Sequence, residues 1–319
     1  MTLAQERSGK PLTTILAQLG LAPATFYRWC QRAEEGRLAD RRVTSQRSVC
    51  LPTAEEVVAV CAFALQYPML GYKRLTWAMV DQDIACLRPY QVYRILRGQQ
   101  LLRRRPQPPV EALRRPPAAE RPDQVWHVDL MYVHVPPRWY YLVDILDAYS
   151  RFLVHWSLNL SMAADTVTLT VQQALDTLAH RRDSEPKIVH DHGSQFLSQE
   201  WRAFIEGARV TDIKTRVAHP ESNGLLERLH RTHREEGLIG EEAADYYQAL
   251  EDMASWGHYY NYERPHSALG YLYPADYYRG DPAGRLAERE RKLSEAFSQR
   301  VLYWKAYTHV KEQRRPLHW

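Results

Sequence analysis

Cysteine, phenylalanine and long apolar runs are scarce in this chain, and each scarcity excludes a class of protein. Its 319 residues include 4 cysteines, and Cys30, Cys50, Cys61 and Cys86 form no C-x-x-C pair. Neither a zinc module nor a disulfide framework is therefore indicated, and reduced, buried thiols are expected. No stretch approaches the roughly 20 apolar residues of a membrane span, and no signal-peptide core opens the chain. A cytoplasmic protein with no membrane partner is expected. Disorder is excluded as well, because 45% hydrophobic residues suffice for real cores.

A strong overall charge is also missing, since the net is only +4. Its distribution carries more information than its sum. Residues 1–121 hold 19 Lys and Arg against 10 Asp and Glu, whereas the remainder holds 23 against 28. A basic front and an acidic back suit a chain that grips phosphates with one part and holds cations with the other.

The basic front reads as two small all-α units. In residues 1–47, Leu12, Ile15, Leu16 and Leu19 form one apolar stripe, Gly20 allows a turn, and Phe26, Trp29, Cys30 and Ala33 form a second. Packed together they make a helix-turn-helix that leaves Thr25, Arg28 and Arg32 outward, spaced for a major groove. A plain helical hairpin has the same pattern. Arg41 and Arg42 lie in the basic linker that follows.

Residues 48–102 repeat the theme. Val57, Val60, Cys61 and Ala64 stripe one helix, and Leu75, Ala78 and Met79 the next, which Lys73 and Arg74 open. A last helix from Pro89 buries Val92, Ile95 and Leu96 and turns Gln91, Arg94 and Arg97 outward. Arg103, Arg104 and Arg105 then lead into residues 103–122, where the proline density excludes helix and sheet and implies an extended spacer.

From 123 to 240 the pattern changes to α/β. Strands are expected near Val125–Val135, Tyr140–Leu146, Phe152–Leu158, Lys187–His190 and Val210–Thr215, with helices near Ala163–His180, Ser198–Gly207 and Ser222–Gly237. That order implies a mixed sheet of five strands flanked by helices. Three acids stand out within it. Asp129 lies in mid-strand, Asp191 ends a short buried strand ahead of Gly193, and Glu227 falls on an amphipathic helix, with 35 residues between the last two. Three converging carboxylates repel one another unless a divalent cation lies between them. Mg²⁺ suits such an oxygen-only set, with Mn²⁺ as a substitute. Two ions about 3.5–4 Å apart can serve an in-line displacement at phosphorus.

Asp129, the run Asp191-His192-Gly193-Ser194-Gln195-Phe196, and Asn223-Gly224 followed by Glu227-Arg228 resemble the D, D(35)E signature of retroviral-integrase cores and bacterial insertion-sequence transposases of the IS3 type. Asp147-Ala148-Tyr149-Ser150-Arg151, and Tyr260-Asn261 with Arg264-Pro265-His266, extend the resemblance over most of the chain. Met131 departs from it, since the family often has Thr two residues after the first Asp. The retroviral His/Cys zinc module is absent, which favours the bacterial branch.

The resemblance implies an RNase H-like core and a transposase. Asp129, Asp191 and Glu227 would be catalytic and would bind two Mg²⁺ ions. The partner would be double-stranded DNA, as transposon ends and target, bound by a homo-oligomer at the bacterial nucleoid. Two rival readings remain: a silent DNA-binding regulator derived from a transposase, and a metal-dependent nuclease that cuts without joining.

The remaining polar residues divide. Asp144, Asp147, Glu235 and Glu236 read as structural or surface groups, and His190 as a hydrogen-bonded histidine at a strand end. His192, Ser194, Gln195, His219 and Asn223 are placed to position DNA or water. Arg228, Arg231 and Arg234 recur along one helix, facing either phosphates or solvent. Residues 241–319 read as a helical, basic extension. Its segment from Trp304 suits DNA, a second subunit or plain surface equally.

Overall fold

The computed structural model describes residues 9–36, 51–102, 119–178, 185–214, 224–236 and 243–313, with side chains in the last segment as far as Tyr307. Contacts group the chain into two compact units, Met1–Leu51 with Trp304–Trp319, and Pro52–Tyr303. No helix among the described residues is long and apolar enough to cross a membrane.

In the first unit, α1 (Leu12–Gln18) and α2 (Pro23–Glu34) are joined by a turn at Gly20, whose φ of 64° lies in the left-handed region. Glycine adopts it without the Cβ clash of other residues, and the Leu21 N–H then reaches the Leu16 carbonyl at 2.9 Å. Ile15 and Leu16 are buried as their spacing implied. Leu19, Trp29 and Ala33 are exposed, so the second apolar stripe is only partly used.

The second unit begins with three helices, α3 (Ala54–Gln66), α4 (Tyr72–Asp81) and α5 (Pro89–Gly98). Thr53 and Glu56 cap α3 reciprocally, the Thr53 N–H donating to Glu56 (2.8 Å) and the Glu56 N–H to the Thr53 hydroxyl (3.2 Å). Val60, Phe63, Leu75, Met79, Val92 and Leu96 form their common core. Gln91 corrects the sequence reading, which turned it outward. It is buried, because its amide oxygen accepts the Arg88 N–H (2.9 Å) at the start of α5.

The sheet follows, built from β1 (Val125–Val135), β2 (Arg138–Asp147), β3 (Leu153–Asn159), β4 (Lys187–His190) and β5 (Thr211–Lys214). Its spatial order is β3-β2-β1-β4-β5, with β1 to β3 antiparallel and β4 and β5 parallel to β1. The expected mixed five-stranded sheet is present. Alternation along β1 and β2 gives it two apolar faces. Trp126, Val128, Val143, Ile145 and Ile188 face α6 (Ala164–Asp176) and α7 (Gln199–Ala208). Val133, Val135, Leu142 and Leu146 face α8 (Gly224–Glu235) and α9 (Tyr246–His258), which contribute Leu226, Leu229, Met253 and Trp256.

Beyond α9, a π-helical turn (Tyr259–Glu263) leads to α10 (Pro274–Tyr278) and α11 (Pro282–Gln313). The Asn261 amide lies along the start of β3, accepting the Leu153 N–H (2.8 Å) and donating to the Leu153 carbonyl (3.0 Å). Ion pairs tie α11 to α3 and α4: Arg289 to Asp81 at 2.7 Å, Arg300 to Glu56 at 2.6 Å and Lys292 to Asp83 at 2.7 Å. Helices α3 and α4 and the part of α11 up to Tyr303 thus meet within one compact unit.

Candidate active site

The sheet register decides which acids meet. Parallel pairing sets His127 beside Val189, so Asp129 lies two residues past the last paired position, within β1, and Asp191 follows the end of the neighbouring β4. The period of two puts Asp129 on the face that α8 and α9 cover. Asp129 keeps 15% of its side-chain exposure, and one of its carboxylate oxygens accepts the Leu130 N–H at 2.9 Å. The Gly193 N–H donates to Asp191 at 2.8 Å, fixing that carboxylate at the strand end. His190, just before it, presents Nδ1 to the Asp191 carbonyl and Nε2 to Asp212, both at 2.6 Å, and stacks on Phe196. It is the hydrogen-bonded strand-end histidine that the sequence implied.

Glu227 lies in the first turn of α8, exposed and without a hydrogen bond or ion pair among the described residues. One turn later His230 reaches the strands, its Nδ1 3.9 Å from Asp129 Oδ2. Among the described residues no group of three or more His, Cys, Asp or Glu side chains stands close enough to hold a metal ion. Asp129 and Asp191 thus belong to neighbouring parts of one sheet, and Glu227 to the helix beside it, with no closed three-acid set among the described residues. The oxygen donors of Asp129 and Asp191 suit a divalent cation.

Sequence reasoning missed the groups beneath these acids. Asp144, opposite Asp129 in the ladder, is completely buried. Two imidazole nitrogens face it, Nε2 of His230 at 3.2 Å and Nε2 of His233 at 3.7 Å. Burial opposes protonation of His230, but the Asp144 contact and the Asp129 charge outweigh it and raise its pKa. His233 stacks on Trp256 at 3.5 Å, and burial lowers its pKa to about 4. The available signal was two histidines, three apart, on the apolar side of α8. Asp147 is structural as read, accepting the N–H groups of Asp123 (2.9 Å) and Ser150 (2.7 Å).

The expected DNA contacts divide. Arg28, Lys73, Arg94, Arg97, Arg228 and Arg231 are exposed, and Thr25 and Arg32 are half-buried. Arg74 turns inward to Glu236 at 3.3 Å, because that carboxylate is held in place by Arg264. Arg41, Arg42, Arg103, Arg104, Arg105 and Asn223 lie outside the described residues, as does His219.

Two family models match this region, both described as an integrase core domain, over residues 119–220 and 208–274. Together the two matches span residues 119–274. Relatives of the chain are insertion-sequence proteins. The transposase for insertion sequence element IS904 of Lactococcus lactis is 27% identical over 162 residues, 50% of this chain and 62% of the relative. Transposase InsD for insertion element IS2A/D/F/H/I/K of Escherichia coli is 27% identical over 230 residues, 67% of this chain and 75% of the relative. The chain thus spans about three fifths of the length of the first relative. Among solved structures, the HTLV-2 integrase catalytic core domain in complex with magnesium aligns with a TM-score of 0.41 and 17% identity, over 50% of this chain and 99% of that one.

Proposed function

We propose that the protein is a DNA transposase that binds the terminal inverted repeats of its own element, cleaves at the element ends and joins each freed 3′ hydroxyl to target DNA. The observation that supports the reading is the match of residues 119–220 to an integrase core domain, within which Asp129 lies on β1 and Asp191 follows β4, the parallel neighbour of β1. Glu227, on the helix packed over that face, is the third member. These three carboxylates would hold one or two divalent cations, Mg²⁺ or Mn²⁺. When bound, such cations supply charge stabilisation for in-line displacement at phosphorus.

The chain's own groups do the positioning. Asp129 is fixed by its strand and Asp191 by the Gly193 N–H, so both carboxylates are oriented before substrate arrives. In the first step water displaces the 3′ oxygen at the element end. In the second that 3′ hydroxyl displaces a target 3′ oxygen, so each step makes one P–O bond and breaks one. Exposed Lys73, Arg94 and Arg97 on α4 and α5, with Arg28 on α2, suit phosphates of the terminal repeats in two tandem helix-turn-helix units. Arg228 and Arg231 of α8 suit phosphates beside the acids. Two ends must meet, so a homo-oligomer on DNA is part of the proposal.

A strand-transfer assay tests it, with the full chain, Mg²⁺ and a duplex carrying inverted repeats found by sequencing the DNA that flanks the gene. Joined products support a transposase. Cleavage alone would make the protein a nuclease, and end binding with neither product would make it a DNA-binding regulator. Glu227→Gln should lower joining by at least ~10³-fold, on the scale of losing a group that stabilises transition-state charge. DNA affinity should stay within twofold, and retained turnover would remove Glu227 from the site.

A further inference from the structure

Asp144 is the side chain least expected where it lies. It is 0% exposed, and neither of its oxygens accepts a well-aligned hydrogen bond among the described residues. A carboxylate taken out of water without such partners is costly, and one that persists calls for a reason. The β1–β2 ladder sets it directly opposite Asp129. Across the pair lies the imidazole of His230, with Nε2 3.2 Å from Asp144 Oδ2 and Nδ1 3.9 Å from Asp129 Oδ2. His230 is itself buried, and it stands one helical turn from Glu227. Leu226 and Leu229 on either side pack into the sheet and hold that face of α8 against the strands.

We propose that His230 is a positioning residue for Asp129, anchored from below by Asp144. The series runs from buried carboxylate to imidazole to site carboxylate. It sets the direction in which Asp129 presents its oxygens to a divalent cation, and it couples the rotation of α8, hence the place of Glu227, to the same strand. Partners one layer out from a metal ligand typically change metal affinity by about 10–100-fold when removed. This inference rests on Asp129 being a cation ligand, as proposed above.

The test uses the full chain and Mn²⁺ alone, with binding followed by electron paramagnetic resonance. Affinity for a duplex in metal-free buffer and thermal unfolding are measured beside it. His230→Phe keeps an aromatic ring and removes both nitrogens; Asp144→Asn keeps the shape and removes the anchoring charge. Both are expected to weaken Mn²⁺ binding by about 10–100-fold, with DNA affinity within twofold of wild type. A lowered melting temperature with unchanged Mn²⁺ affinity would make the pair a structural ion pair only and overturn the proposal. Should His230→Phe fail to fold, wild-type Mn²⁺ affinity in Asp144→Asn overturns it equally. Asp129→Asn separates the two levels. If it leaves Mn²⁺ binding intact, the cation site itself is misplaced; if it abolishes binding while the other two variants do not, only the role of His230 falls.

Discussion

His266 is buried beside positive charge, and burial first, then Arg264, Arg74 and Arg151, hold its pKa well below the ordinary 6.5. The imidazole is therefore neutral in the folded chain, while in the unfolded chain it takes up a proton as the pH falls through about 6.5. Below that point the unfolded state binds more protons. Stability is then lost toward acid, at up to about 1.4 kcal/mol per pH unit for one such group. Urea unfolding at pH 7.5, 6.5 and 5.5 should show wild type losing stability faster than His266→Gln on the acid side. Equal slopes would assign the proton uptake to another residue. Single residues differ in how legible they were. Asp147 read correctly as structural because its Tyr-Ser-Arg turn places N–H donors nearby, whereas nothing adjacent to Asp144 signals that its partners come from α8.

At the scale of elements, α8 is held at its middle and just past its end. His230 meets the sheet half-way along, and just past the last turn Glu236 accepts from Arg264 at 2.8 Å and from Arg74 at 3.3 Å. The two contacts are unequal. Arg264 is buried and donates to both carboxylate oxygens, while Arg74 makes one longer contact and is more exposed. Breaking a buried pair from one side costs about 3–5 kcal/mol, and a partly exposed contact about 1 kcal/mol or less. Arg264→Ala should thus lower unfolding free energy several times more than Arg74→Ala, as read from denaturant midpoints. Comparable losses would mean that Arg74 carries Glu236. The strands and α6 to α8 were legible because alternation and amphipathic spacing report burial directly, as in β1 and β4, whose bounds match the sequence reading. Gln91 and Arg74 were not, because a polar residue in an outward-looking slot gives no sign that a cap or a distant carboxylate draws it in.

At the scale of the whole molecule, the described residues from Pro52 to Tyr303 form one compact unit that joins a three-helix front to the five-stranded sheet and its helices. Sequence could not reveal that joint, because Asp81 and Arg289, or Glu56 and Arg300, lie more than two hundred residues apart and look like solvated charges. In the folded unit Arg289 and Arg300 are only 2% and 4% exposed. Arg289 also donates to the Gly270 and Tyr271 carbonyls and lies over the Trp77 ring at 4.9 Å. Charges desolvated to this degree persist only where their partners hold station, so α11 depends on α3 and α4 for its place. Hydrogen exchange on fragments 52–303 and 119–303 tests that dependence. Amides of α11 from Arg285 to Arg300 should be protected in the longer fragment. In the shorter one, which lacks Asp81 and Glu56, they should exchange at least tenfold faster, while β1 and β2 keep their protection because their own core is intact. Equal protection of α11 in both would mean that the three-helix front is an independent module merely resting on the rest.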